Sequence, residues 1–225
     1  MNGLLERIAL AAIPIILAIT FHEAAHGYAA LYFGDDTAKR AGRLTLNPLK
    51  HIDPFGTVIL PIILVLTTGY TFGYAKPVPV DWRALRNPKR DMIWVAAAGP
   101  AMNVALATVS ALLLLFAIHL PPDAAASVGN ILLRSVELNF VLALFNLLPL
   151  PPLDGGTVIA GILPDVLARP YLRLGRFGMT LLILMLVILP IVGDEMHLDL
   201  DIFIPLVQQP AEYLTNGMLH LVGAA

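Results

Sequence analysis

The chain contains no cysteine, so neither a disulfide nor a thiolate-ligated metal is available to it. Charge is also scarce. Asp, Glu, Lys and Arg make up 13% of the 225 residues, against 58% hydrophobic residues and a mean hydropathy of +0.79; a soluble domain is usually about a quarter charged. The net charge is only −2, and no basic stripe interleaved with aromatics occurs, so there is no footprint for nucleic acid. The composition points to an α-helical polytopic membrane protein with the lipid bilayer as its solvent. The length suits one bundle of about four to six transmembrane helices without a sizeable further soluble domain, so residues 1–225 read as a single membrane-embedded unit.

Against this apolar background one polar cluster stands out. Phe21-His22-Glu23-Ala24-Ala25-His26-Gly27 reads H-E-x-x-H and closes an apolar run from Ile8 to Thr20. Residues four apart share a helix face, so His22 and His26 can present two imidazoles to one metal ion. Glu23 projects about 100° away, close enough to reach a water on that metal without being a ligand. That is the mechanical content of the zinc-hydrolase motif. Three ionisable side chains within five residues are costly in hydrocarbon and are functional by default. The run before the motif has the length of a signal peptide, but Glu6 beside Arg7 spoils the positive leader and no small-residue cleavage site precedes His22. It is read as a retained span, about Leu4 to Phe33.

Positive charge orients the rest. Residues 34–54 carry Lys39, Arg40, Arg43 and Lys50; residues 76–91 carry Lys76, Arg83, Arg86, Lys89 and Arg90; residues 155–176 carry Arg169, Arg173 and Arg176. These three stretches read as cytoplasmic. The apolar segment Phe55–Tyr70 has a positive flank on each side, so it is expected to enter the membrane and return, as a re-entrant, partly extended segment within residues 40–80; the alternative is one short true span that breaks the charge rule. Further spans are expected at about Met92–Ile118, Ser127–Leu148 and Phe177–Val192, with 155–176 forming loop and interfacial helix. The acidic stretch 193–201 lies outside. Residues 202–222 are either a last span or an amphipathic surface helix.

Two histidines need at least one more protein ligand. Asp154, in Leu153-Asp154-Gly155-Gly156, follows an apolar span that exits to the cytoplasm. It therefore lands at the depth of His22 and His26. His51 and Asp53 are rivals, as ligands or as groups holding a ligand imidazole. His119, His197 and His220 fall on the outer side or in the C-terminal segment and read as non-ligands. A His₂-carboxylate set suits zinc best, although affinity order alone does not choose the metal. Asn103 needs a partner inside its apolar helix and reads as structural. Asn146 is either an oxyanion or substrate donor or a helix-end cap.

The combination FHEAAHG, AGPAMN and FNLLPLPPLDGG resembles the site-2 protease family, the intramembrane zinc metalloproteases, and LNPLKHIDPFGT and GYAKPVPV resemble its small prokaryotic members. The resemblance covers roughly residues 15–160, which makes about 4–160 the catalytic core and about 161–225 accessory helices. It implies one Zn2+ per chain held by His22, His26 and Asp154, with Glu23 as the catalytic glutamate. It also implies Asn146 at the active site, with Pro152 in the adjoining motif. The expected substrate is a membrane-anchored protein cut near the cytoplasmic side of a prokaryotic plasma membrane. The chain has no room for the PDZ or CBS domain that some members carry, and homo-oligomer formation is left open. The competing reading is a non-catalytic metal-binding membrane protein, a transporter or sensor, which gives Glu23 no task. A catalytically dead relative is a third, and intact His22, Glu23, His26 and Asp154 argue against it.

Overall fold

The computed structural model of the chain describes residues 2–59, 74–198 and 200–224. Among these residues the regular structure is helical and no strand occurs. The architecture rests on α1 (Asn2–Tyr32), α2 (Pro88–Ala117), α3 (Pro122–Asn146), α4 (Asp154–Ile162), α5 (a helical run over Asp165–Met196) and α6 (Gln209–Val222). Helices α2, α3 and α5 are each long and apolar enough to cross a bilayer. At 31 residues α1 is about 46 Å long by its helical rise. The protein is an α-helical membrane protein.

Prolines set many of the boundaries. Pro88 and Pro122 open α2 and α3, where a missing N–H leaves no hydrogen bond unmade. Pro149, Pro151 and Pro152 follow the end of α3, and Leu163-Pro164 separates α4 from α5. Pro14 and Pro100 lie inside α1 and α2 without ending them, as packed membrane helices tolerate.

Helix α2 is the hub and packs against α1, α3 and α4; α6 packs on α3 and α2. Ala107 and Ala111 of α2, Val136 and Phe140 of α3 and Ala211 of α6 form one buried cluster. Lipid is as apolar as these side chains, so burial alone drives little; small residues act by letting backbones approach. Hydrogen bonds join α2 to α3, Ser110 to Ser135 at 2.8 Å and Asn103 Nδ2 to Asn139 Oδ1 at 2.9 Å. Such bonds contribute roughly 0.6 kcal/mol each in a membrane. A second cluster, Ala30, Leu85 and Val95 with Phe33, Val80 and Met92, ties residues 80–85 between the end of α1 and the start of α2.

The structure bears on three of the expected segments. The central part of the re-entrant segment, residues 60–73, lies outside the described residues. Its flanks are described: Pro54–Ile59 is a π-helical turn, and residues 74–80 have no regular structure. Tyr74 N–H donates to the Gly56 carbonyl at 3.0 Å, and Thr57 Oγ1 donates to the Tyr74 carbonyl at 2.9 Å. Tyr74 thus lies beside Gly56 and Thr57. Second, residues 155–176, expected as loop and interfacial helix, are helical on both sides of one break, and the helix begins before the expected span at Phe177. The break is Leu163-Pro164, and from Asp165 the helical run continues to Met196. Third, residues 202–222 become a π-helical turn, Ile204–Gln208, leading into α6, which packs on the bundle through Ala211, Met218 and Val222.

Candidate metal centre

Helical periodicity does for His22 and His26 what their spacing promises. Both rings turn to one side of α1, and their Nε2 atoms lie 3.0 Å apart. Asp154, the first residue of α4, completes the cluster. Its Oδ2 is 3.2 Å from His22 Nε2 and its Oδ1 is 3.4 Å from His26 Nε2. Among the described residues these three form the group of His, Asp and Glu side chains able to hold a metal ion, with ligand atoms all within 4.8 Å of one another. His51 and Asp53 fall elsewhere. His51 is buried with Nε2 at 2.9 Å from the Thr45 carbonyl, and Asp53 accepts the N–H groups of Phe55 and Gly56 at 3.1 and 2.7 Å. His119, His197 and His220 are also absent from the group.

The hydrogen bonds behind the imidazoles settle where their protons sit. His26 Nδ1 faces the Val95 carbonyl at 2.7 Å, and a carbonyl only accepts, so Nδ1 carries the proton. For His22 a chain of side-chain amides does the same. Asn139 Nδ2 donates to the Ser135 carbonyl at 2.8 Å, which leaves Asn139 Oδ1 to accept from Asn103 Nδ2. Asn103 Oδ1 is then turned to His22 Nδ1 and accepts its proton. In the neutral imidazoles both Nε2 atoms therefore offer lone pairs, side by side and toward a carboxylate. Asp154 Oδ2 is buried and has no hydrogen-bond partner. Two lone pairs and a buried carboxylate oxygen converging without a proton between them are complementary to a cation. Nitrogen and oxygen donors of this kind suit zinc.

Close backbone approach makes the cluster fit. Gly99 of α2 lies against both rings: a Cβ there would come within 2.4 Å of His26 Nε2 and 2.6 Å of His22 Nε2. Below Asp154 the loop 147–153 folds tightly under α4, and a Cβ on Gly155 would meet the Leu147 carbonyl oxygen at 2.2 Å. Tyr171 of α5 donates its hydroxyl to the Pro149 carbonyl at 2.8 Å and steadies the same loop.

Glu23 is half-buried, and its Oε2 accepts the main-chain N–H of Val78 at 2.7 Å. Asn146, at the last turn of α3, is half-buried and donates Nδ2 to the Leu142 carbonyl of its own helix at 3.0 Å. Pro152 lies in the loop against α5, where a Cβ on Gly178 would come within 2.2 Å of its Cδ. Three contributors escape a reading by residue type. These are Gly99, the Asn103–Asn139 chain and the Val78 N–H. The i, i+4 spacing of Gly99 and Asn103 was an available signal, since it places both on one face of α2.

Comparison with known proteins gives the family. The model of "Peptidase family M50" matches residues 10–127 and 118–189. The chain is 43% identical over 179 residues to the "Putative zinc metalloprotease YwhC" of Bacillus subtilis, covering 78% of each protein. It is 30% identical over 173 residues to the "Putative zinc metalloprotease Rip2" of Mycolicibacterium smegmatis, covering 76% of this chain and 64% of that one. With the protein of the same name from Mycobacterium tuberculosis strain H37Rv it shares 32% over 143 residues, 62% of this chain and 52% of that one. No solved structure matches. A family match over most of the chain and a relative this similar over 78% of it show that the protein belongs to peptidase family M50, the site-2 protease family whose motifs it carries.

Proposed function

We propose that this protein is an intramembrane zinc metalloprotease. It hydrolyses peptide bonds of membrane-anchored substrates near the cytoplasmic side of a prokaryotic plasma membrane. The observation that carries the reading is the convergence of His22 Nε2, His26 Nε2 and a buried Asp154 oxygen that has no hydrogen-bond partner, with Glu23 next to them on α1. Membership of a peptidase family and the names of the relatives support it.

His22, His26 and Asp154 would hold the zinc. Bound there, zinc supplies Lewis acidity, which polarises the scissile carbonyl and brings the pKa of a water toward about 7. The protein's own groups do the rest. Glu23 accepts the proton of the attacking water and passes it to the leaving amine. Asn103 and the Val95 carbonyl keep the Nδ1 protons in place, so that both Nε2 lone pairs face the ion. Asn146 is assigned to the substrate carbonyl, which it reaches by exchanging its bond to Leu142 for one to substrate. A substrate helix hides its carbonyls in hydrogen bonds, so the segment to be cut must be locally unwound.

The test is cleavage of a panel of membrane-anchored substrates by the wild-type protein and Glu23→Gln, with bound zinc counted in both. The expected result is cleavage by the wild type, none by Glu23→Gln, and about one zinc per chain in each. Zinc in both without Glu23-dependent cleavage would mark a metal-binding membrane protein instead, and no zinc in either would remove the site.

A further inference from the structure

Residues 74–80 form an irregular strap that reaches Glu23 and is pinned along its length. Lys76 N–H donates to the His51 carbonyl at 3.0 Å. Arg43 Nη2 donates to the carbonyls of Lys76 at 2.9 Å and Pro77 at 3.4 Å. Just beyond the strap, Asp81 N–H donates to the buried Asp35 carboxylate at 2.7 Å. The Val78 side chain is buried against α1, and a Cβ on Gly27 would come within 3.1 Å of its Cγ1.

The sequence of the strap is Lys76-Pro77-Val78-Pro79-Val80. Proline has no N–H, so Val78 is the sole main-chain donor from 77 to 79. That donor goes to Glu23 Oε2 at 2.7 Å, across 55 residues of sequence. An N–H to a carboxylate is a charge-assisted bond, about twice as strong as a neutral one. A glutamate on a helix surface otherwise samples many rotamers, and a base must be held within hydrogen-bond reach of its proton.

We infer that Val78 is a positioning residue. Its main-chain N–H, isolated by the two prolines, holds one oxygen of Glu23 and so leaves the other to take the proton of the attacking water. This rests on Glu23 being the base, as proposed above. Val78 itself takes no part in proton transfer, and the proton follows the same path through Glu23 to the leaving amine. The pinning by Arg43, His51 and Asp35 is what gives a main-chain group on an irregular segment a fixed address.

The test uses the full-length protein with a substrate that the wild type cleaves. Replacing the Val78 amide with an ester removes the N–H and keeps the shape; Val78→Pro is the genetic version, and Val78→Ala keeps the N–H while losing packing. The ester and Val78→Pro should lower kcat about ten- to a hundredfold below Val78→Ala, the loss expected from a misplaced catalytic group. KM and bound zinc should not change. Independently of cleavage, hydrogen exchange at the Val78 amide should quicken at least tenfold in Glu23→Ala. If Val78→Pro does not fold, the ester and the exchange rate decide. A rise in kcat without the N–H would make the strap an inhibitory latch and overturn the inference. So would an equal loss in Val78→Ala, or an exchange rate indifferent to Glu23. Cleavage that survives Glu23→Gln would instead be a failure of the base assignment.

Discussion

Gly99 lies so close to His26 that a Cβ on it would stand 2.4 Å from His26 Nε2, the atom that faces the metal position. The same Cβ would stand 2.6 Å from His22 Nε2. Helix α2 thus forms the floor against which both imidazoles rest, and a single methyl group there competes directly with the ion.

Gly99→Ala is therefore expected to lower bound zinc at least tenfold while the helices still form. Gly129→Ala is the matched control, since a Cβ at that helical position meets nothing within 4 Å. Metal analysis of the two purified proteins decides it. Full zinc in Gly99→Ala would mean that α1 and α2 stand further apart than this packing.

Asn103 is fully buried and joins His22 to Asn139. Loss of such an outer partner typically costs 10- to 100-fold in metal affinity. Asn103→Ala should fall in that range, measured by competition with a chelator of known affinity. Asn139→Ala should have a smaller effect in the same direction, because it frees Asn103 to turn without removing the acceptor of the His22 proton. If Asn139→Ala were the more damaging of the two, the chain would be serving helix packing rather than the imidazole.

These two residues also mark where reading the sequence stops. The spacing of His22 and His26 gives their common face directly, and the distribution of Lys and Arg brings Asp154 to their depth. His22 meets Asn103 across 81 residues and Glu23 meets Val78 across 55; periodicity assigns a residue to a face, and it does not say which element covers that face. The helix end near Asn146 was legible because prolines follow it. The continuity of α5 was not. Arg169, Arg173 and Arg176 look like a loop in a list of charges, yet at spacings of four and three they share one exposed side of a helix.

Asp35 predicts a pH dependence of stability. Burial acts to raise its pKa, but hydrogen bonds from Thr37 and from the Asp81 N–H, with Arg40 nearby, outweigh burial and hold it below its ordinary value of 3.8. The unfolded chain then binds more protons than the folded one in mild acid, so this carboxylate stabilises the fold above about pH 4 and stops doing so as pH falls through its depressed folded value. Asp35→Asn should lower the melting temperature at pH 7, and the gap to wild type should narrow as the pH is brought below 4. A gap independent of pH would assign the effect of Asp35 to shape alone.

Gly155 tests whether the loop under α4 places the third ligand. A Cβ on it would stand 2.2 Å from the Leu147 carbonyl oxygen and 2.4 Å from the carbon of that carbonyl. These are backbone atoms, so no side-chain rotation relieves the clash, and the first turn of α4 has to move. Asp154 is the residue that moves with it. Gly155→Ala should then weaken zinc binding by about as much as Asp154→Ala, and the double variant should be no weaker than Asp154→Ala alone, because both changes remove one interaction. Additive losses in the double variant would show that Gly155 supports the site through the loop in some way other than by carrying Asp154. Zinc affinity unchanged in Gly155→Ala would show that α4 adjusts without losing the carboxylate.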